Sequence, residues 1–88
     1  MRVAGFETER ADDESLRVIA TVRNEGETDA DVTVRVRVTA GKGKNEVKAN
    51  PERSVRVAGG GTERLVFEFP DVPFARFERN GSLDFRVK

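Results

Sequence analysis

The run Val32-Thr33-Val34-Arg35-Val36-Arg37-Val38-Thr39 constrains the fold of this chain more than any other segment, because valine alternates with a polar residue four times in succession. Successive side chains of a strand point to opposite faces, so strict period-two alternation describes a strand with one dry and one wet side. β-Branched valine and threonine suit that pleated surface and disfavour a helix. A polar turn, Asn24-Glu25-Gly26, precedes the run and Gly41-Lys42-Gly43-Lys44 follows it, both carrying the residue types of chain reversals.

Similar strands recur every eight to twelve residues, which is sandwich spacing. The expected set is Arg2 to Thr8, Leu16 to Arg23, Val32 to Thr39, a weaker Glu46 to Ala49 ended by Pro51, Arg53 to Val57, Glu63 to Phe69 and Leu83 to Val87. The predicted fold class is therefore all-β, a single antiparallel β-sandwich of six to seven strands over residues 1–88. Its inward positions are Val18, Val22, Val34, Val36, Leu65, Phe67, Phe69, Phe85 and Val87, with Phe6, Phe74 and Phe77 sealing the ends. Between Asp71 and Asn80 the alternation fails. A short helical turn near 73–79 is favoured over a bulged hairpin, since Pro73 suits a first turn, Phe74 and Phe77 share a face, and Gly81 suits an end.

At 88 residues the core is thin, and with neither cysteine nor histidine it has no disulfide or zinc staple. Histidine-based nucleophilic catalysis is excluded, and Gly59-Gly60-Gly61 precedes a strand rather than the helix a phosphate cradle requires. The carboxylates lie in turns or alternate with arginine, which describes solvated surface, so an enzyme is not expected and no cofactor is implied. Sixteen basic and sixteen acidic residues leave no net charge, so nucleic acid is not an expected partner. No apolar stretch approaches the roughly 20 residues of a membrane span, and direct membrane insertion is not expected.

Two sets of residues remain as site candidates. Asp12, Asp13 and Glu14 form an acidic turn that is a calcium candidate, against the reading of a solvated turn; calcium needs six to eight oxygens and the spacing matches no loop motif. Arg35, Arg37, Arg17 and Arg23 form a candidate interaction surface, a stripe for a polyanion, against the reading that they pair across strands with Glu68, Glu78 and Asp84. Aromatic sugar platforms are not expected, with no tryptophan or tyrosine.

Leu16 to Val22, the Asn24-Glu25-Gly26-Glu27-Thr28-Asp29-Ala30 turn, and Val57-Ala58-Gly59-Gly60-Gly61-Thr62 before Leu65, Phe67 and Phe69 together resemble the CARDB family, the cell-adhesion-related domains of prokaryotic surface proteins. That resemblance implies an immunoglobulin-like or fibronectin-III-like sandwich acting as a spacer or interaction module, and it carries over no catalytic residue. The tail differs: Phe74-Ala75-Arg76-Phe77 before Asn80-Gly81-Ser82-Leu83-Asp84-Phe85-Arg86-Val87 resembles the water-stress (late-embryogenesis-abundant type 2) domain, which places a short helix before its last strand. The Asn-Pro usual after that family's second strand is replaced by Asn24-Glu25.

The expected function is a non-enzymatic structural or interaction module, adhesion-type or spacer, within a larger prokaryotic surface or envelope protein. Its expected partner is a protein or a neighbouring domain, with self-association available through an edge strand. The alternatives are a stand-alone cytoplasmic stress-protective domain and a designed sandwich scaffold, the latter suggested by the regularity of the alternation. Compartment follows function: envelope if the strand-like start marks a piece of a longer exported chain, cytoplasm otherwise. The dense mixed charge and arginine preference also fit a thermostable protein.

Overall fold

The alternating segments form strands as the pattern requires. The structure, a computed structural model, describes residues 1–88, the side chain of Asn45 excepted. In chain order it contains β1 (Arg2–Arg10), β2 (Ser15–Arg23), β3 (Ala30–Ala40), a 3-10 turn (Gly43–Asn45), β4 (Val47–Ala49), β5 (Glu52–Val57), β6 (Thr62–Pro73), α1 (Phe74–Asn80) and β7 (Gly81–Val87). It is an all-β antiparallel sandwich of seven strands with one short helix.

One sheet has the order β1-β2-β6. The other is built on β3. β4 and β5 follow one another along one side of it, pairing with Val38–Ala40 and Ala30–Arg35, while β7 pairs with Val34–Ala40 on the opposite side. Pro51 separates β4 from β5, yet its carbonyl still accepts the Val36 N–H at 3.0 Å, so the break barely interrupts the ladder. The radius of gyration is 14.0 Å, above the roughly 12 Å of a spherical chain of this length, and the slab measures 46 × 24 × 16 Å.

The core lies between the sheets. Leu16, Val18, Ala20 and Val22 of β2 face Val32, Val34, Val36, Val38 and Ala40 of β3, and all are buried together with Val57, Leu65, Phe67, Phe69 and Val72. The register places Val18 beside Phe67 and Val36 beside Phe85, as the alternation predicts.

Three expectations need correction. β6 does not stop at Phe69 but runs on through Pro70 to Pro73. Its register to β2 jumps from Leu16↔Phe69 to Ser15↔Pro73, a bulge that turns Val72 into the core. Prolines are tolerated there because β6 is an edge strand whose outer N–H groups need no partner. Pro73 stands at the N-cap of α1 rather than inside its first turn. Finally, Phe6 and Val87 do not seal or fill the core: they are 53% and 37% exposed, and Phe85 is half-buried.

Two close approaches lock the ends. A Cβ on Gly81 would overlap the Phe77 carbonyl oxygen and lie 2.5 Å from the Phe77 ring, so only glycine lets β7 leave α1 at this angle. At the other end Asn24 is buried and ties three segments together. Its Nδ2 donates to Thr28 O (2.8 Å) and Val57 O (3.1 Å), and its Oδ1 accepts from Gly26 N (2.9 Å). Its backbone exchanges hydrogen bonds with the glycine turn, donating to Gly61 O and accepting from Gly60 N, the latter at φ 72°.

Candidate interaction surface

Every inward residue of β2 and most of those on β3 and β6 are sealed, but the flank where β1 and β7 run side by side is not. The register puts Val3, Phe6 and Thr8 of β1 opposite Val22, Ala20 and Val18, hence on the inner face. Leu83, Phe85 and Val87 of β7 lie opposite Val38, Val36 and Val34 and also point inward. Each sheet ends at these strands, so the inward rows have neighbours on one side only. The Phe6 and Phe85 rings meet across the gap at a centroid distance of 5.2 Å and an interplanar angle of 55°, a tilted aromatic pair. The result is a half-open apolar slot, Val3, Phe6, Leu83, Phe85 and Val87, bounded by two strand edges.

The backbone of β7 adds directional chemistry. Thr33 and Lys88 exchange both N–H···O bonds (2.9 and 3.3 Å), which assigns even-numbered β7 residues to the β3 side. The N–H and C=O groups of Leu83, Phe85 and Val87 therefore face away from the sheet, at a free edge. The other edges are defended in the ways soluble sheets use. β6 carries Pro70, Pro73 and four charges, the β4–β5 edge is broken at Pro51, and β1 is irregular between Val3 and Gly5 and rich in Arg and Glu. β7 has no proline, no bulge and two charges, Asp84 and Arg86.

The four arginines do not converge. Arg17 and Arg23 lie on the outer face of the β1-β2-β6 sheet, Arg35 and Arg37 on the outer face of the opposite sheet. A single stripe over all four is thus not assembled. Arg17 stands between Glu9 (3.0 Å) and Glu68 (3.3 Å), directly lateral to it on the neighbouring strands, and the Glu9 hydrogen bond is the main reason its pKa is raised. Its Nε is buried without a partner among the described residues. Arg35 bonds Glu52 (Nε, 2.7 Å), and this contact leads the lowering of the Glu52 pKa, with Lys88 adding to it. Arg37 lies opposite Asp84 in the register, but among the described residues no ion pair joins them, and Glu78 sits apart on α1.

The acidic turn is organised by its own side chains. Asp13 accepts the Ser15 hydroxyl (2.5 Å) and the Ser15 N–H (3.0 Å), and these bonds hold its carboxyl below the ordinary range. Glu14 adopts φ 67°, the left-handed residue that closes the reversal. Asp12 and Glu14 are exposed, and among the described residues no three acidic side chains gather as a metal site would require.

The slot itself was not singled out from the sequence. Its residues read as ordinary inward positions, and only strand order reveals that nothing covers them. Gly81 to Val87 carries two charges in seven residues, a share no lower than that of β2 or β3, so its charge content gave no signal. Among the described residues no helix is long and apolar enough to cross a membrane. Comparison of the chain with protein-family models, curated proteins and solved structures returned no match.

Proposed function

We propose that this domain is a non-enzymatic interaction module of the immunoglobulin or fibronectin-III type, carried by a larger prokaryotic surface or envelope protein as the CARDB resemblance implies. The observation that supports this is the half-open β1–β7 flank, where inward-facing Phe6 (53% exposed) and Val87 (37%) lie beside a strand edge with free backbone groups. Exposed apolar area next to an unpaired edge is what strand-adding protein partners use: main-chain hydrogen bonds give affinity and side-chain pockets give selectivity.

The test is photo-crosslinking in the producing cell, with a reactive residue at position 6 or 87 and a control at Val66, exposed on the outer face of the β1-β2-β6 sheet. Discrete protein adducts from 6 and 87 but not 66 are expected. Adducts equal at all three positions, or none from the flank, would remove the reading.

One observation favours a second reading, the stress-protective role: α1 directly precedes the last strand, where the water-stress resemblance puts its helix. Protection of a labile enzyme through drying separates the two. The interaction module should protect no better than an equal mass of an inert protein, and clear excess protection would shift the assignment.

A further inference from the structure

The geometry points to a second copy of this chain as the occupant of the β7 edge, joined by antiparallel β7–β7 pairing about a two-fold axis at Phe85. This rests on the interaction-module reading and names its partner. Antiparallel pairing of a strand with itself puts residue k opposite residue 170 − k when the centre is Phe85. Asp84 then faces Arg86 of the second copy and Arg86 faces its Asp84, while Leu83 faces Val87 and Phe85 faces Phe85.

Three independent features agree on this register. The first is backbone parity. Leu83, Phe85 and Val87 carry the outward N–H and C=O groups, and the pairs 83–87, 85–85 and 87–83 are all of the mutually bonded kind. The second is charge. Centring on Asp84 or on Arg86 satisfies parity equally well but sets Asp84 against Asp84 or Arg86 against Arg86, and like charges directly opposite are destabilising. Centring on Arg86 also sets Asp84 opposite Lys88, but it keeps the central Arg86–Arg86 clash; the Phe85 centre pairs opposite charges twice with no like pair. The third is the state of Arg86 within its own chain. Its β3 neighbour is Arg35, whose guanidinium is already bonded to Glu52, and among the described residues Arg86 forms no ion pair. The second copy's Asp84 supplies one.

Packing follows the same register. The inward row Leu83-Phe85-Val87 meets its own reverse, and Phe6, tilted against Phe85, gains the second copy's Phe85 as a neighbour. The two β3-centred sheets become one continuous sheet, and the least defended edge of the sandwich disappears.

The test is a charge swap read by sedimentation equilibrium at concentrations on the order of 0.1–1 mM, where small interfaces associate measurably. Asp84→Arg alone and Arg86→Asp alone should each weaken association roughly tenfold or more, because symmetry counts each reversal twice. The double variant Asp84→Arg/Arg86→Asp should restore it. Both sites are exposed, and circular dichroism checks that each variant is folded. In parallel, amide exchange at Leu83, Phe85 and Val87 should slow with rising concentration. A parent that stays monomeric, or a double variant no better than the singles, overturns the dimer. If the flank crosslinks then carry a protein other than this chain, only the dimer fails; if there are no flank crosslinks at all, the module reading fails with it.

Discussion

Asn24 shows how much a single side chain can hold at one end of a thin sandwich. Its amide donates to two carbonyls on different segments while its oxygen accepts a third bond, and the residue is only 5% exposed. Removing the amide leaves Thr28 O and Val57 O without that donor, at about 1–3 kcal/mol per unsatisfied buried group. Asn24→Ala is expected to cost about 2–4 kcal/mol in chemical denaturation. Asn24→Asp should cost more, because it sets an anion against the same carbonyls. Equal midpoints for parent and Asn24→Ala would show that water replaces the amide. Gly81 makes a different kind of demand. Its φ of −118° suits any residue, so the requirement is steric rather than conformational. Gly81→Ala must push back the Phe77 backbone or ring, and a loss of about 1–3 kcal/mol is expected with α1 the first segment to lose amide protection.

At the scale of the element, β3 carries the strongest test of register. Val36 is fully buried opposite Phe85, whereas Arg35 beside it is partly exposed and tied to Glu52. Val36→Arg places an unpaired charge in the core at a cost of several kcal/mol, against a total stability of about 5–10 for a domain of this size. It is expected to unfold the domain. Arg35→Val should leave it folded but more prone to associate, as it adds apolar surface to a wet face. Paired melting curves check both, and a parent-like melt for Val36→Arg would mean that the inward row is the other one. β6 and β7 show the limit of the pattern. The β7 alternation is as regular as that of β3, yet its inward side chains stay half-exposed because no strand lies beyond it. In β6 the prolines broke the readable pattern, and Val72 reached the core only through the bulge opposite Ser15–Leu16.

For the whole molecule, acid is the informative perturbant. Three carboxyls are more acidic folded than unfolded: Glu25 through its hydrogen bond from Arg2, Glu52 through that from Arg35, and Asp13 through those from Ser15. A lowered folded pKa means stability present above the ordinary carboxylate range and lost as pH falls through the folded values. The chain has no histidine, the side chain whose ordinary pKa lies closest to neutrality. The urea midpoint is expected to be level from about pH 5 to 8 and to fall below about pH 4.5. Glu52→Gln should flatten that fall, and high salt should flatten it further, since these groups face solvent. A midpoint unchanged from pH 5 to 3 would exclude these contacts in solution.

The strand-forming segments, the inward rows of β2 and β3, the turns at Asn24 and Gly59–Gly61, and the short helix before the last strand are all legible from the residue order. Those properties are local: side-chain period, β-branching and turn chemistry act over a few residues. Lateral order came from the folded arrangement of the strands. That β7 and β1 end their sheets side by side, that Arg17 and Arg35 fall on opposite faces, and that Phe6 is left open all depend on which strand stands next to which. An inward position looks the same in sequence whether or not a neighbouring strand covers it, because burial comes from pairing across long chain separations and not from the strand's own pattern.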